Sequence, residues 1–240
     1  MKRLGGLLGG VLAGLWAVAL WAGGASVLVE DWSTHAVGAR GIPEGWKGGQ
    51  TWGNPAYEFI VAEEGSMKVL HLRSQGDSST ISKEVKVDVR ETPILEWQWK
   101  ALRLPTGADA RSKDTDDQAI QLYVTWKRFP SFARSRIIGY VWDSAAPAGS
   151  VIKSQKTGMV TYVVMRSGVA DLGRWLTETR NVYEDYKRIY GEEPDELDAV
   201  SITIDSDDTE SSAETYVGAI RFRRLSTGVL HHGGRGKLRN

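Results

Sequence analysis

The chain has 240 residues, 41% hydrophobic and 25% charged, a globular mixture that excludes a disordered or fibrous polymer. Thirty basic residues balance thirty acidic ones, so no global basic field points to a nucleic acid as partner. Cysteine is absent, which excludes a disulfide framework, a thiolate zinc site, a cysteine nucleophile and an iron–sulfur cluster.

The basic residues are unevenly placed. Setting aside Lys2 and Arg3 at the start and Arg235, Lys237 and Arg239 at the end leaves 25 basic against 30 acidic residues, a mildly acidic body. Met1-Lys2-Arg3 is followed by the uncharged apolar run from Leu4 to Ala22 and the small residues Gly23, Gly24, Ala25 and Ser26. That order predicts a secretory signal peptide over residues 1–25 and a periplasmic or secreted protein. A retained anchor is the alternative, and an uncleaved segment is the only predicted contact with a membrane. Residues 26–227 are expected to form a single β-sandwich domain, and residues 228–240 a disordered basic tail.

From Tyr57 onward the dominant period is two. Tyr57, Phe59 and Val61 alternate, Met67 to Leu72 follows a Glu-Gly turn, and Ile81, Val85, Val87 and Val89 make a further run. Ile94 to Leu102 is the clearest strand, with Leu95, Trp97, Trp99 and Ala101 on one face and Glu96, Gln98 and Lys100 on the other. The loop Leu104–Asp117, rich in Gly, Pro, Asp, Arg and Lys, is the predicted mobile loop. Further strands are predicted at Ala119–Trp126, Ile137–Trp142, Met159–Arg166, Val200–Asp205 and Tyr216–Leu225. One segment departs from the alternation: between Thr177 and Tyr190, Val182, Tyr186 and Ile189 recur with helical spacing, and Gly191 supplies a C-terminal cap. Eight or nine strands without intervening helices predict an all-β, antiparallel jelly-roll sandwich with one helix late in the chain.

Seven segments also occur in a distinctive order: Trp97-Gln98-Trp99, Asp116-Asp117-Gln118-Ala119, Tyr140-Val141-Trp142, and Thr179 to Tyr186, then Gly191-Glu192-Glu193-Pro194, Ile204 to Thr209, and Tyr216-Val217-Gly218. This order resembles a family of exported bacterial proteins known as domain of unknown function 3047, over about Val27 to Leu225. The chain departs from that family's D-S-D-N-T and Y-G-D-I patterns, with Asp208 in place of Asn and no Asp in Val217-Gly218-Ala219-Ile220. The resemblance implies a galactose-binding-like jelly roll outside the cytoplasm. It implies no activity.

Candidate sites therefore come from the residues. Trp46 and Trp52 lie in glycine-rich loops, where an aromatic face is free to stack on the apolar C–H patch of a sugar ring. Trp97 and Trp99 are assigned to the core. Asp117, Trp142, Arg180, Tyr183 and Asp185 complete the predicted ligand-binding set, Arg180 as a bidentate receptor for a carboxylate. A plain Arg180–Glu184 pair along the helix is the competing explanation. Asp205, Asp207 and Asp208 form the candidate metal cluster, with a structural calcium as the cofactor, against pairing with Arg180 or another cation, or a solvated turn. Glu196-Leu197-Asp198 begins like a glycanase signature, but Ser201 stands where its last Glu belongs.

These residues predict an exported protein that binds a glycan or similar polar ligand without reaction. A carbohydrate-active hydrolase or lyase using Asp117, Asp185 or Asp205 is the enzymatic alternative. A structural protein of the cell envelope is the third.

Overall fold

The computed structural model describes residues 26–48 and 57–225. The period-two alternation becomes thirteen strands among the described residues, more than the predicted number. In chain order they are β1 (Ser26–Glu30), β2 (Lys47–Gly48), β3 (Tyr57–Glu64), β4 (Met67–Gln75), β5 (Ser78–Val87), β6 (Ile94–Arg103) and β7 (Ile120–Trp126). They continue as β8 (Arg136–Asp143), β9 (Val151–Lys153), β10 (Val160–Ser167), β11 (Leu176–Asn181), β12 (Leu197–Asp205) and β13 (Ser212–Arg223). Among the described residues two α-helices join them, the four-residue α1 (Ser131–Arg134) and α2 (Val182–Tyr190), with one 3-10 turn at Lys113–Thr115.

One sheet has six strands in the order β11-β6-β13-β4-β3, with β1 paired to the far half of β13. The other has seven, ordered β2-β5-β12-β7-β8-β10-β9. The chain passes repeatedly from one sheet to the other, as at β4–β5–β6–β7 and β10–β11–β12–β13, which makes the sandwich a jelly roll. Antiparallel pairing is broken once: β8 and β10 run parallel. The long connection between them folds back through β9, so β10 re-enters the sheet in the direction of β8.

The inward residues form one core, and its aromatic members link the sheets. Trp97 and Trp99 of β6 meet edge to face at 5.3 Å, and across the sandwich Trp97 lies 5.3 Å from Tyr140 and Trp99 6.1 Å from Trp142, both on β8. Each such contact contributes about 0.5–1.5 kcal/mol beyond the area it buries. Trp142 is wholly buried here, so it is a core residue and not part of a ligand surface.

The helix spans the predicted apolar positions Val182 to Ile189 but starts five residues after Thr177, the predicted bound of the segment. Leu176–Asn181 is instead an edge strand on β6. The strand turns Glu178 inward, where it accepts from Trp99 Nε1 at 3.2 Å and Arg166 Nε at 2.6 Å. The helix begins where Asn181 caps the Glu184 amide at 3.1 Å and ends at Gly191, whose φ of 72° suits glycine.

The loop predicted to be mobile is pinned. Ala108 and Ala110 are buried, Thr106 N donates to Ser211 Oγ at 3.1 Å, and Ala110 N donates to Asp143 Oδ2 at 3.0 Å. Among the described residues no helix is long and apolar enough to cross a membrane. The predicted signal peptide, the basic tail and Trp52 lie outside the described residues.

Candidate functional site

Several predicted site residues hold the fold together. Trp46 is buried, stacks on Trp32 at 5.7 Å and donates Nε1 to Glu30 Oε2 at 3.1 Å, so it pins its loop and offers no platform. Glu30 also receives Lys83 at 2.8 Å and the Trp32 amide at 2.9 Å. Burial alone raises its pKa, but these donors outweigh it and keep the carboxyl below its ordinary value.

Arg180 pairs with Asp185 and not with Glu184, donating Nε to Oδ2 at 2.8 Å. Arg188 adds a contact at 3.1 Å and the Tyr140 hydroxyl another at 3.0 Å. Asp185 is thereby fully engaged in fastening α2 to the sandwich. Burial, and then the Asp185 charge, push the Tyr140 hydroxyl well above the ordinary tyrosine value. Tyr183 donates to Glu193 at 2.7 Å and accepts from Lys187 at 3.2 Å. A shallow cleft of about 390 Å³ lies beside Arg180 and Glu184, and of its charged groups Arg180, Asp185 and Arg188 are paired with one another.

Asp117 joins the acidic run at the end of β12. Its Oδ1 accepts from the Asp208 amide at 3.1 Å, and its Oδ2 from the Thr209 amide at 2.8 Å and Thr209 Oγ1 at 2.6 Å. Two of the seven ordered sequence segments, Asp116–Ala119 and Ile204–Thr209, thus meet at one place. Asp205 sits there at 9% exposure. Burial, and then Asp207 and Asp117 beside it, push its carboxyl up to about 9. Asp208 turns to the ammonium of Lys156.

This acidic group closes one end of the outward face of the seven-stranded sheet. Alternation places Thr80 and Ser82 of β5, Ser201 and Thr203 of β12, and Gln121, Tyr123 and Thr125 of β7 on that face, opposite the core residues Ile81, Ile202, Leu122 and Val124. Register brings the hydroxyls into pairs. Thr80 Oγ1 lies 2.6 Å from Thr203 Oγ1, and Ser82 Oγ 3.0 Å from Ser201 Oγ. Thr80 is exposed, and Ser82, Tyr123 and Thr125 are half-buried.

Tyr123 gives this floor an aromatic edge, half-buried against a second apolar cluster that includes Val141, Val160 and Tyr162. It pairs with Gly139 on β8, and a Cβ at Gly139 would stand 2.6 Å from Tyr123 Cε1 and 3.1 Å from Tyr162 Cδ1. The missing side chain is what lets the Tyr123 ring lie down on β8. The Tyr123 hydroxyl donates to Gln121 Oε1. Next to it a buried chain runs on: Gln121 donates to Gln118, Gln118 Nε2 to Asp116 Oδ1 at 2.9 Å, and the Tyr162 hydroxyl to Asp116 Oδ2 at 3.2 Å. Burial raises the Asp116 carboxyl above its ordinary value.

The sequence showed the polar side of Val200–Asp205 but did not single out Tyr123, Gly139, Gln121, Tyr162 or Lys156. The available signal was the uncharged polar set Gln121, Tyr123 and Thr125 facing away from Ile120, Leu122 and Val124. Its partner Gly139 became meaningful only through the β7–β8 register.

No curated protein matches the chain. Among solved structures, the xyloglucanase domain of NopAA from Sinorhizobium fredii in complex with cellobiose is 9% identical, with a TM-score of 0.42 over 80% of this chain and 100% of that one. The module CtCBM11 is 10% identical, with a TM-score of 0.41 over 86% of this chain and 98% of its own. The carbohydrate-binding module TmCBM27, described for its recognition of mannan, is 13% identical, with a TM-score of 0.37 over 84% and 99%. The model of the family described as "Protein of unknown function (DUF3047)" matches residues 44–221, and the chain belongs to that family.

Proposed function

We propose that the protein is an exported glycan-binding sandwich whose ligand lies across the outward face of the seven-stranded sheet. The observation that carries this reading is the Tyr123 ring laid over Gly139 beside two rows of paired hydroxyls. A pyranose presents the complementary surface, an apolar C–H patch for the ring and hydroxyls that exchange hydrogen bonds with Thr80, Ser82, Ser201 and Thr203. Thr80 and Ser82 are the accessible members of the two pairs, with Ser201 and Thr203 buried beneath them, so a sugar hydroxyl would exchange first with Thr80 and Ser82 at little net cost. The N-terminal segment of residues 1–25 supports export.

Binding without cleavage is the form of this function that the carboxylates favour. Hydrolysis needs two carboxyl groups flanking the glycosidic bond. Of the carboxylates at that end of the floor, Asp116 is buried and hydrogen-bonded at both oxygens, Asp117 is held by three donors and Asp208 is engaged by Lys156.

The test is titration of the mature protein with a panel of soluble glycans, followed by calorimetry and product analysis. At least one glycan should bind saturably and be recovered intact. Tyr123→Ala should weaken it at least about tenfold, roughly 1.4 kcal/mol, while Tyr216→Ala on the opposite sheet leaves it unchanged. Equal losses in both variants, or a flat response across the panel, would remove the proposal.

A further inference from the structure

Five carboxylates, those of Asp116, Asp117, Asp205, Asp207 and Asp208, gather where the segment before β7 meets the β12–β13 turn. Among the described residues, Lys156 is the one cation within ion-pair distance of any of them, and it is engaged by Asp208. Asp117, Asp205 and Asp207 each bring a carboxylate oxygen within 4.8 Å of the other two. Oxygens bound to one calcium ion at about 2.3–2.6 Å lie no more than about 5 Å apart.

A second observation is independent of that count. Asp205 is nine-tenths buried, at 9% exposure, and its Oδ1 is closed to solvent with no hydrogen-bond partner. An orphaned oxygen on a carboxyl this deeply buried is costly unless a proton or a cation completes it. Asp117 is prepared for the role of fixed ligand, because the Asp208 and Thr209 amides and Thr209 Oγ1 already orient it. Asp207 is exposed, which leaves the group open to an entering ion from the solvent side.

We propose that Asp117, Asp205 and Asp207 form a binding site for a hard divalent cation, calcium by preference. Three carboxylate oxygens suit a hard ion, and calcium's flexible shell tolerates uneven spacing better than the rigid octahedron of magnesium. The ion would tie the segment before β7 to the β12–β13 turn. It does not depend on glycan binding at the neighbouring floor.

The experiment uses the chelator-treated mature protein without glycan, measuring thermal unfolding against calcium and magnesium together with terbium luminescence excited through the aromatic residues. Calcium should raise Tm saturably by about 5–10 °C, with a weaker response to magnesium. Asp205→Asn and the surface variant Asp207→Asn should each shift the calcium midpoint at least about tenfold, while Glu91→Gln leaves it in place. No rise in Tm up to about 10 mM calcium, or an unchanged midpoint in Asp207→Asn, would overturn the site.

Discussion

On the outward face of the six-stranded sheet, Lys100 stands over both Trp175 and Tyr216, at 5.8 and 5.4 Å, and pairs with Glu64. Glu214 accepts from His71 at 2.8 Å and Arg73 at 3.0 Å, and Glu58 from Arg40 at 3.0 Å. The outward face of the seven-stranded sheet carries hydroxyls, amides and one flat tyrosine between β5 and β8. Both faces follow from the same alternation. The charged face answers itself: its aromatic rings already have a cation and its carboxylates already have partners. The hydroxyl face keeps its hydrogen-bonding capacity in groups that give up their neighbours cheaply. Clefts of about 330 and 420 Å³ do lie on the charged face, near Gln98 and Gly218 and near Arg73 and Glu214. In the second, a polar ligand would first have to break the pairs that Arg73 makes with Glu58 and Glu214; in the first, Asp31 is already bonded by Ser33 and Lys68 by the Ser33 and His35 carbonyls.

The strongest way to break the comparison is Gly139→Val. The new Cβ would fall 2.6 Å from Tyr123 Cε1, so the ring must lift from the sheet. Urea denaturation should show a loss of about 1–3 kcal/mol, and glycan titration a loss of binding. An unchanged affinity would mean that the flat ring is not the platform.

A smaller effect belongs to the charged face. Burial tends to raise the Glu214 carboxyl, but His71 and Arg73 outweigh it and hold the pKa below its ordinary value of 4.5. A depressed carboxyl stabilises the fold above the unfolded value, and the contribution disappears as pH falls through the folded one. Glu214→Gln should therefore cost up to about 1 kcal/mol at pH 7. The two proteins should converge in thermal stability well below pH 4.5, with glycan affinity at pH 7 unaffected. A gap that persists in acid would show that Glu214 acts through packing.

The smallest expected change in stability is on the hydroxyl face. Replacing Thr80 and Thr203 together by Val removes both partners of one pair and preserves their shape. Unfolding free energy should stay within about 0.5 kcal/mol, while glycan affinity falls severalfold. A large loss of stability would place this hydroxyl pair among the groups that hold the sheet.

The legibility of the site varied residue by residue. Trp97 and Trp99 were readable as core because Leu95 and Ala101 share their phase. Trp46 was not, since nothing local to a glycine-rich loop reveals Trp32 and Glu30 waiting to receive it. Thr177–Asn181 was included in the helical segment because an inward Glu178 spoils the strand pattern, and its partners Trp99 and Arg166 are distant in sequence. Asp205 and Asp207 were legible as a polar strand end. That Asp117 joins them while Asp208 turns to Lys156 depends on how two distant turns pack.

By itself the sequence determined which residues point inward along the clearest strands, the helical spacing that ends at Gly191, and the acidic run after Ile204. Those are properties of period, and a side chain's phase along a strand is local. Only the tertiary structure decided which strands are neighbours, and with them the Thr80–Thr203 pair, the Tyr123–Gly139 contact and the meeting of Asp117 with Asp205. Pairing across a sheet is a choice among distant segments, made by burial of the whole core, and no single stretch of chain contains it.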